Sequence, residues 1–124
     1  MNSLINCSHI IVKQTKYGIG AFATKKFYEN EVIEEGIIKR IITTNHKNPY
    51  LFKWKDENIS AYASGCFTFY NTSLEPNSKM IKNYDLDSFK IIALHDIEKG
   101  DELTRIFQSL QFRFHDGRIS MSYK

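Results

Sequence analysis

The residues able to do chemistry are few, and their spacing narrows what they can do. The two cysteines, Cys7 and Cys66, are too few and too far apart for a disulfide framework or a zinc cluster, and read as free thiols. His9, His46, His95 and His115 never stand at zinc-ligand spacing with another His or Cys, so no metal site is expected. No Gly-rich phosphate loop, nucleophile elbow or dinucleotide fingerprint occurs. Three polar constellations remain. Lys16-Tyr17-Gly18-Ile19-Gly20 is a tight turn whose glycines let a ligand approach the backbone. Asn71-Thr72-Ser73-Leu74-Glu75-Pro76-Asn77 is a loop in which Asn71, before Ser73, reads as an Asx-turn residue. Asp96 to Glu102 is an acidic turn whose carboxylates read as structural or solvated rather than as acid–base groups.

The elements that must position these residues are short strands. The chain has 124 residues, 42% hydrophobic, 25% charged and 14% aromatic, with Gly 6 and Pro 2. That is one domain over 1–124, with neither a disordered nor a collagen-like composition. The net charge of +3 is spread along the chain, so no direct nucleic-acid binding is expected. No run approaches the roughly 20 apolar residues of a membrane span, and no signal peptide is evident, so an intracellular, non-secreted protein is expected. Strands are expected at Ile10–Gln14, Gly20–Ala23, Glu31–Ile38, Tyr50–Trp54, Ser88–Leu94 and Leu103–Phe107. Ile41-Ile42 either extends the third strand or begins another. Ile59–Phe69 reads as strand or short helix, Asn71–Ser78 as loop, and residues 108–124 as a weakly patterned tail. The class is mostly β, or β-rich α+β.

Taken in order, three segments resemble the SET domain of protein-lysine methyltransferases. They are Lys16 to Ala23 with the acidic stretch Glu31-Val32-Ile33-Glu34-Glu35, Gly65 to Asn77, and Ile91 to Thr104. The family pattern is Gly-x-Gly-x-x-Ala, then Asn-His-Ser-x-x-Pro-Asn, then Gly-Glu-Glu-Leu with a tyrosine shortly after. The resemblance covers about Ile10 to Phe107, and the compact spacing is most similar to the minimal SET proteins of large DNA viruses and some bacteria. Two positions depart from the pattern: Thr72 stands for the histidine and Phe107 for the tyrosine.

The resemblance implies a fold of short twisted sheets with a knot-like C-terminal crossing, an exception to the usual absence of threading. It implies S-adenosylmethionine as cofactor and a protein lysine, such as one on a histone tail, as substrate. Tyr17, Gly18, Ile19, Asn71 and Thr72 match the cofactor-binding segments, and Phe112 is a candidate cover for the adenine. Phe107 occupies the catalytic tyrosine position, and Tyr50 and Tyr70 are candidates for the lysine channel; each also reads as a sheet aromatic in the core. Ser73, Pro76, Asn77, Asp101 and Glu102 are expected to hold the crossing. With Phe107 in place the enzyme is expected to be impaired, and the alternative is an inactive SET-fold binding or regulatory module. Leu110, Phe112 and Phe114 suggest a homodimer interface.

Overall fold

The computed structural model describes residues 5, 7–42, 51–55 and 59–106. The chain divides into two compact units, Met1–Ile38 with Ala63–Ile106, and Lys39–Tyr62 with Phe107–Lys124. The fold is strand-rich: the described residues carry nine strands, one 3-10 turn and no α-helix.

In the first unit, β1 (Ile10–Thr15) and β2 (Gly18–Ala23) form an antiparallel hairpin in register from Ile10 opposite Ala23 to Thr15 opposite Gly18. Only Lys16 and Tyr17 lie between them. The Thr15 hydroxyl fixes this turn by donating to the Gly18 carbonyl (2.8 Å) and accepting from the Tyr17 N–H (3.1 Å). β2 buries Gly20, Ala21 and Ala23, small residues that let the strand lie close to its neighbours. A second sheet pairs β3 (Val32–Ile42) with β8 (Ser88–Ala93), and β8 with β7 (Ser78–Asn83), all antiparallel.

A bulge shifts the β3–β8 register between Val32 and Glu34, so two residues of β3 stand opposite one of β8. Strict alternation would send one of Ile33 and Glu34 outward. The bulge breaks the alternation, and both are buried. The core of this unit is Ala21, Phe27, Ile33, Phe67, Phe89, Ile91, Ile97 and Leu103, with Tyr70 packed among them. The Phe67 ring contacts those of Tyr70 and Phe89, with centroids 5.2 and 6.1 Å away.

β6 (Asn71–Thr72) lies parallel to β9 (Thr104–Arg105), joining the loop around residue 71 to the last described strand. Asn77 secures this crossing. Its amide donates to the Glu102 carbonyl (2.8 Å), while its side-chain oxygen accepts from the Thr104 N–H (2.8 Å). Its own N–H donates to the Thr104 hydroxyl (3.0 Å). In the second unit, β4 (Phe52–Lys53) pairs antiparallel with β5 (Ile59–Ala63), and Trp54 and Phe52 are buried edge to face.

Several elements differ from the sequence reading. Ile59–Phe69 is neither one strand nor one helix but β5 followed by a 3-10 turn at Phe67–Phe69. The expected loop at Asn71–Ser78 contains β6, and the expected strand at Leu103–Phe107 is formed only at Thr104–Arg105 among its described residues. β7 was not expected as a strand: Ser78-Lys79-Met80-Ile81-Lys82-Asn83 carries two lysines and an asparagine. Its position at the sheet edge explains them, because charged side chains suit an edge strand.

Candidate functional site

Gly18, Ile19, Asn71 and Glu102 converge, although they come from three distant parts of the chain. The Asn71 amide nitrogen donates to the Ile19 carbonyl (3.1 Å) and to the Glu102 carboxylate (2.6 Å). The second contact is charge-assisted and short, the stronger kind of hydrogen bond. Gly20 makes room for both partners: a Cβ there would stand 2.8 Å from Glu102 Oε2 and 3.2 Å from Asn71 Nδ2. Gly18 has a different reason to be glycine. Its φ of +114° lies where side chains are strained, yet a Cβ there would meet nothing within 4 Å. The turn therefore presents open backbone beside a polar triad.

Tyr17 is 87% exposed at the tip of this turn, with the Lys16 ammonium 5.1 Å from its ring centre. Ile19 is also exposed, and Asn71 with it. Thr72 is half-buried beside Arg105, and the Ser73 N–H donates to the Arg105 carbonyl (2.8 Å). Five expected cofactor residues, Tyr17, Gly18, Ile19, Asn71 and Thr72, thus belong to the hairpin turn and the β6 strand. Phe112, Phe107 and Tyr50 lie outside the described residues, as do Leu110 and Phe114. The carboxylates of the acidic turn behave as linkers. Glu102 holds Asn71, and Asp101 accepts from the Glu98 N–H (3.0 Å) to close its own turn.

Tyr70 is placed apart from this exposed rim. It is 2% exposed, and its hydroxyl faces the carboxyl of Glu34, which is 1% exposed. One Glu34 oxygen accepts from the Cys66 N–H (3.1 Å). The other, Oε1, and the Tyr70 hydroxyl are sealed from solvent beside each other but short of an aligned hydrogen bond. Burial raises the Glu34 pKa to about 7, against the partial relief given by Tyr70 and the Cys66 N–H. The Tyr70 hydroxyl is pushed well above its ordinary range by burial first, and then by the Glu34 charge. The Cys66 thiol is pushed up to about 12 by burial and by its contact with the Cys7 thiol. Both cysteines are free. The sequence places Glu34 in an acidic strand whose carboxylates read as solvated or as the lining of a groove for a basic tail, because the bulge that turns it inward has no signature in residue type.

Among the described residues no group of three or more His, Cys, Asp or Glu could hold a metal ion, and no helix is long and apolar enough to cross a membrane. The arrangement does suit a small ligand with polar and cationic atoms. Unencumbered backbone at Gly18, a side-chain amide at Asn71 and a carboxylate at Glu102 can bind such atoms without any side chain having to move aside from the glycine.

The family pattern described as the SET domain matches residues 18–106. A Plasmodium falciparum protein assigned as a histone methyltransferase has a similar structure, with TM-score 0.64 and 24% identity, covering 77% of this chain and 90% of that one. A chain of ctPRC2, solved in complex with histone H3 carrying a trimethylated lysine and with a methionine-substituted H3, is similar over 82% of this chain, with TM-score 0.67 and 20% identity. This chain spans 15% of the length of that one. None of the curated proteins matches in sequence.

Proposed function

The chain belongs to the SET-domain family, and on that premise we propose that it is an S-adenosylmethionine-dependent protein-lysine N-methyltransferase whose turnover is held low by Phe107. The observation that carries the reading is the meeting of Asn71, Ile19 and Glu102 beside the open backbone of Gly18, at the positions where the family pattern puts its cofactor. The donor supplies an electrophilic methyl on a sulfonium. A neutral lysine amine takes that methyl as the carbon–sulfur bond breaks, and the methylated nitrogen sheds a proton. The substrate is a lysine on a protein, and the histone neighbours make a histone tail the first candidate.

The protein's part is to bind and orient. In this proposal the Tyr17–Ile19 backbone and Asn71 hold the methionine end of the donor, Thr72 contributes main-chain contacts, and Phe112 covers the adenine. Tyr50 lines the lysine channel, where a partly dry aromatic wall favours the neutral amine over its ordinary pKa of about 10.4. Phe107 keeps the ring of the family tyrosine without the hydroxyl that orients the amine. A second reading, a SET-fold binding or regulatory module without turnover, draws on the same Phe107 and on Thr72.

Calorimetric titration with S-adenosylmethionine tests the cofactor site. Asn71→Ala should weaken binding by about 1–3 kcal/mol, the cost of a lost polar partner in a preorganised site. No binding to the folded protein at millimolar ligand would remove the proposal. Radiolabelled methyl transfer to histones then separates the two readings, since only the enzyme labels its substrate.

A further inference from the structure

The chain's only two cysteines are far apart in sequence, and the fold of the first unit brings them to one place. Cys7 lies in the segment that leads into β1, where its carbonyl accepts from the Ile10 N–H (3.3 Å). Cys66 stands at the start of the Phe67–Phe69 turn. Its N–H donates to Glu34 Oε2 (3.1 Å) and its carbonyl accepts from the Phe69 N–H (2.9 Å). Both backbones are thus held, and the Cys66 thiol lies against that of Cys7. Gly65 stands beside both, since it precedes Cys66 in the chain and a Cβ on it would be 3.7 Å from Cys7 Sγ. We propose that Cys7 and Cys66 are a redox-sensitive pair, which a peroxide joins in a reversible disulfide that ties the entry of β1 to the entry of the Cys66–Tyr70 turn. The proposal stands apart from the methyltransferase reading, although the two tied segments lead on to Gly18 and to Asn71.

Three features support the pairing. A disulfide forms without refolding only where the two side chains already meet, because the bond demands a close and specific approach of both cysteines. Both thiols are free and half-buried, and Gly65 beside them is exposed, so a small oxidant can reach them. Gly65 cannot readily become larger: its φ is +73°, and a Cβ on it would lie 2.5 Å from Glu34 Oε2. Among the described residues no group of three His, Cys, Asp or Glu could hold a metal ion, so the chemistry available here is that of two thiols. The step balances with hydrogen peroxide as the oxidant. One thiol takes an oxygen as the O–O bond breaks, giving a sulfenic acid and one water. The other sulfur then displaces that oxygen, the S–S bond forms, and the displaced oxygen leaves with both protons as a second water. The two sulfurs lose two electrons in all, and the peroxide gains them. Burial, and then the neighbouring Cys7 thiol, push the Cys66 thiol up to about 12, so Cys7 is the sulfur that takes the oxygen and Cys66 the one that displaces it.

The test treats the folded, reduced full chain with a small excess of hydrogen peroxide, then counts thiols and maps peptides under non-reducing conditions. Both thiols should disappear together, and a peptide carrying Cys7 should appear joined to one carrying Cys66. The bond closes a loop of about 60 residues, which constrains the unfolded chain, so Tm should rise by about 10 °C and return to its starting value with dithiothreitol. Cys7→Ser and Cys66→Ser should each abolish the linked peptide and the Tm shift. Cys7→Ser lies outside every strand and turn, so it tests the bond even if Cys66→Ser fails to fold. Two thiols still countable after peroxide, oxidation that stops at separate sulfinic or sulfonic acids, or a disulfide that joins two chains overturns the pairing. A Cys7–Cys66 bond that leaves Tm unchanged or lowers it overturns the tie between the two segments. None of these outcomes bears on S-adenosylmethionine binding, which the titration of the reduced chain decides separately.

Discussion

Gly18 and Gly20 stand two residues apart in one motif, yet opposite constraints keep them glycine. Gly18 is held by backbone conformation and Gly20 by proximity to Glu102 and Asn71. Gly18→Ala should therefore cost about 1–3 kcal/mol of stability through strain at positive φ, read as a lower urea midpoint. Gly20→Ala should instead displace the Glu102 carboxylate, lengthen its 2.6 Å bond to Asn71, and weaken S-adenosylmethionine binding in a titration. Parent-like affinity in Gly20→Ala would mean that the Asn71–Glu102 contact does not shape the site. Phe107→Tyr belongs to the same scale. It adds back one hydroxyl, and a positioned hydrogen-bonding group of this kind is typically worth about 10²–10³ in rate. Methylation of a matched histone peptide should rise by about that factor; if the parent already turns over at about 1 s⁻¹ or faster, Phe107 does not limit it. The glycines were legible in the sequence because tight turns and close approaches admit few residue types, whereas Asn71 stood out only through the family resemblance of its segment, its turn chemistry alone pointing to an Asx turn. Glu34 was not, because a glutamate between Ile33 and Glu35 reads as one more surface acid until the bulge is seen.

At the scale of elements, the hairpins follow from local chemistry and the crossing does not. β8 alternates buried and open positions, with Phe89, Ile91 and Ala93 inward, and this pattern was plain in the sequence. β7 pairs with it along six residues although its own sequence is charged, since cross-strand pairing to β8 supplies what its propensity lacks. The parallel contact of β6 with β9 joins residues more than thirty positions apart and has no local signal at all. Asn77 supports it together with Ser78, whose hydroxyl donates to the Thr104 carbonyl (2.6 Å), and the Ser73 N–H, which donates to the Arg105 carbonyl. Removing Asn77 would leave the Glu102 carbonyl and the Thr104 N–H without these partners, both in a part-buried setting. Asn77→Ala should thus lower stability by about 2–4 kcal/mol. Asn77→Asp keeps the acceptor for Thr104 and loses the donor to Glu102, so it should fall between Asn77→Ala and the parent. Urea unfolding at unchanged slope measures both; a loss below about 0.5 kcal/mol for Asn77→Ala would show that the crossing holds without this latch.

For the whole molecule, stability should peak on the acid side of neutral, and two glutamates of opposite behaviour set the position of the peak. Glu31 bonds the Lys25 ammonium at 2.6 Å and accepts from the Tyr28 N–H, and these contacts hold its pKa below the ordinary carboxylate range. Its contribution is present above the unfolded value near 4.5 and is lost as pH falls through the lower folded value. Glu34 works the other way. Its folded pKa of about 7 lies above the unfolded 4.5, so between these values the folded protein holds a proton that the unfolded chain has released. Stability must then fall as pH rises through this window, and it levels off above about 7. A rise of this size corresponds to about 3 kcal/mol for a group this buried. The sum is a maximum at about pH 5 rather than the usual broad plateau between about 5 and 8. Urea unfolding of the parent from pH 4 to pH 8 should show the maximum and the decline, and Glu34→Gln should remove the decline above pH 5 while keeping the acid limb. A parent curve flat from pH 5 to pH 8, or a Glu34→Gln curve that declines as steeply as the parent, would mean that the Glu34 carboxyl finds water or a cation in the folded protein and titrates as an ordinary surface acid.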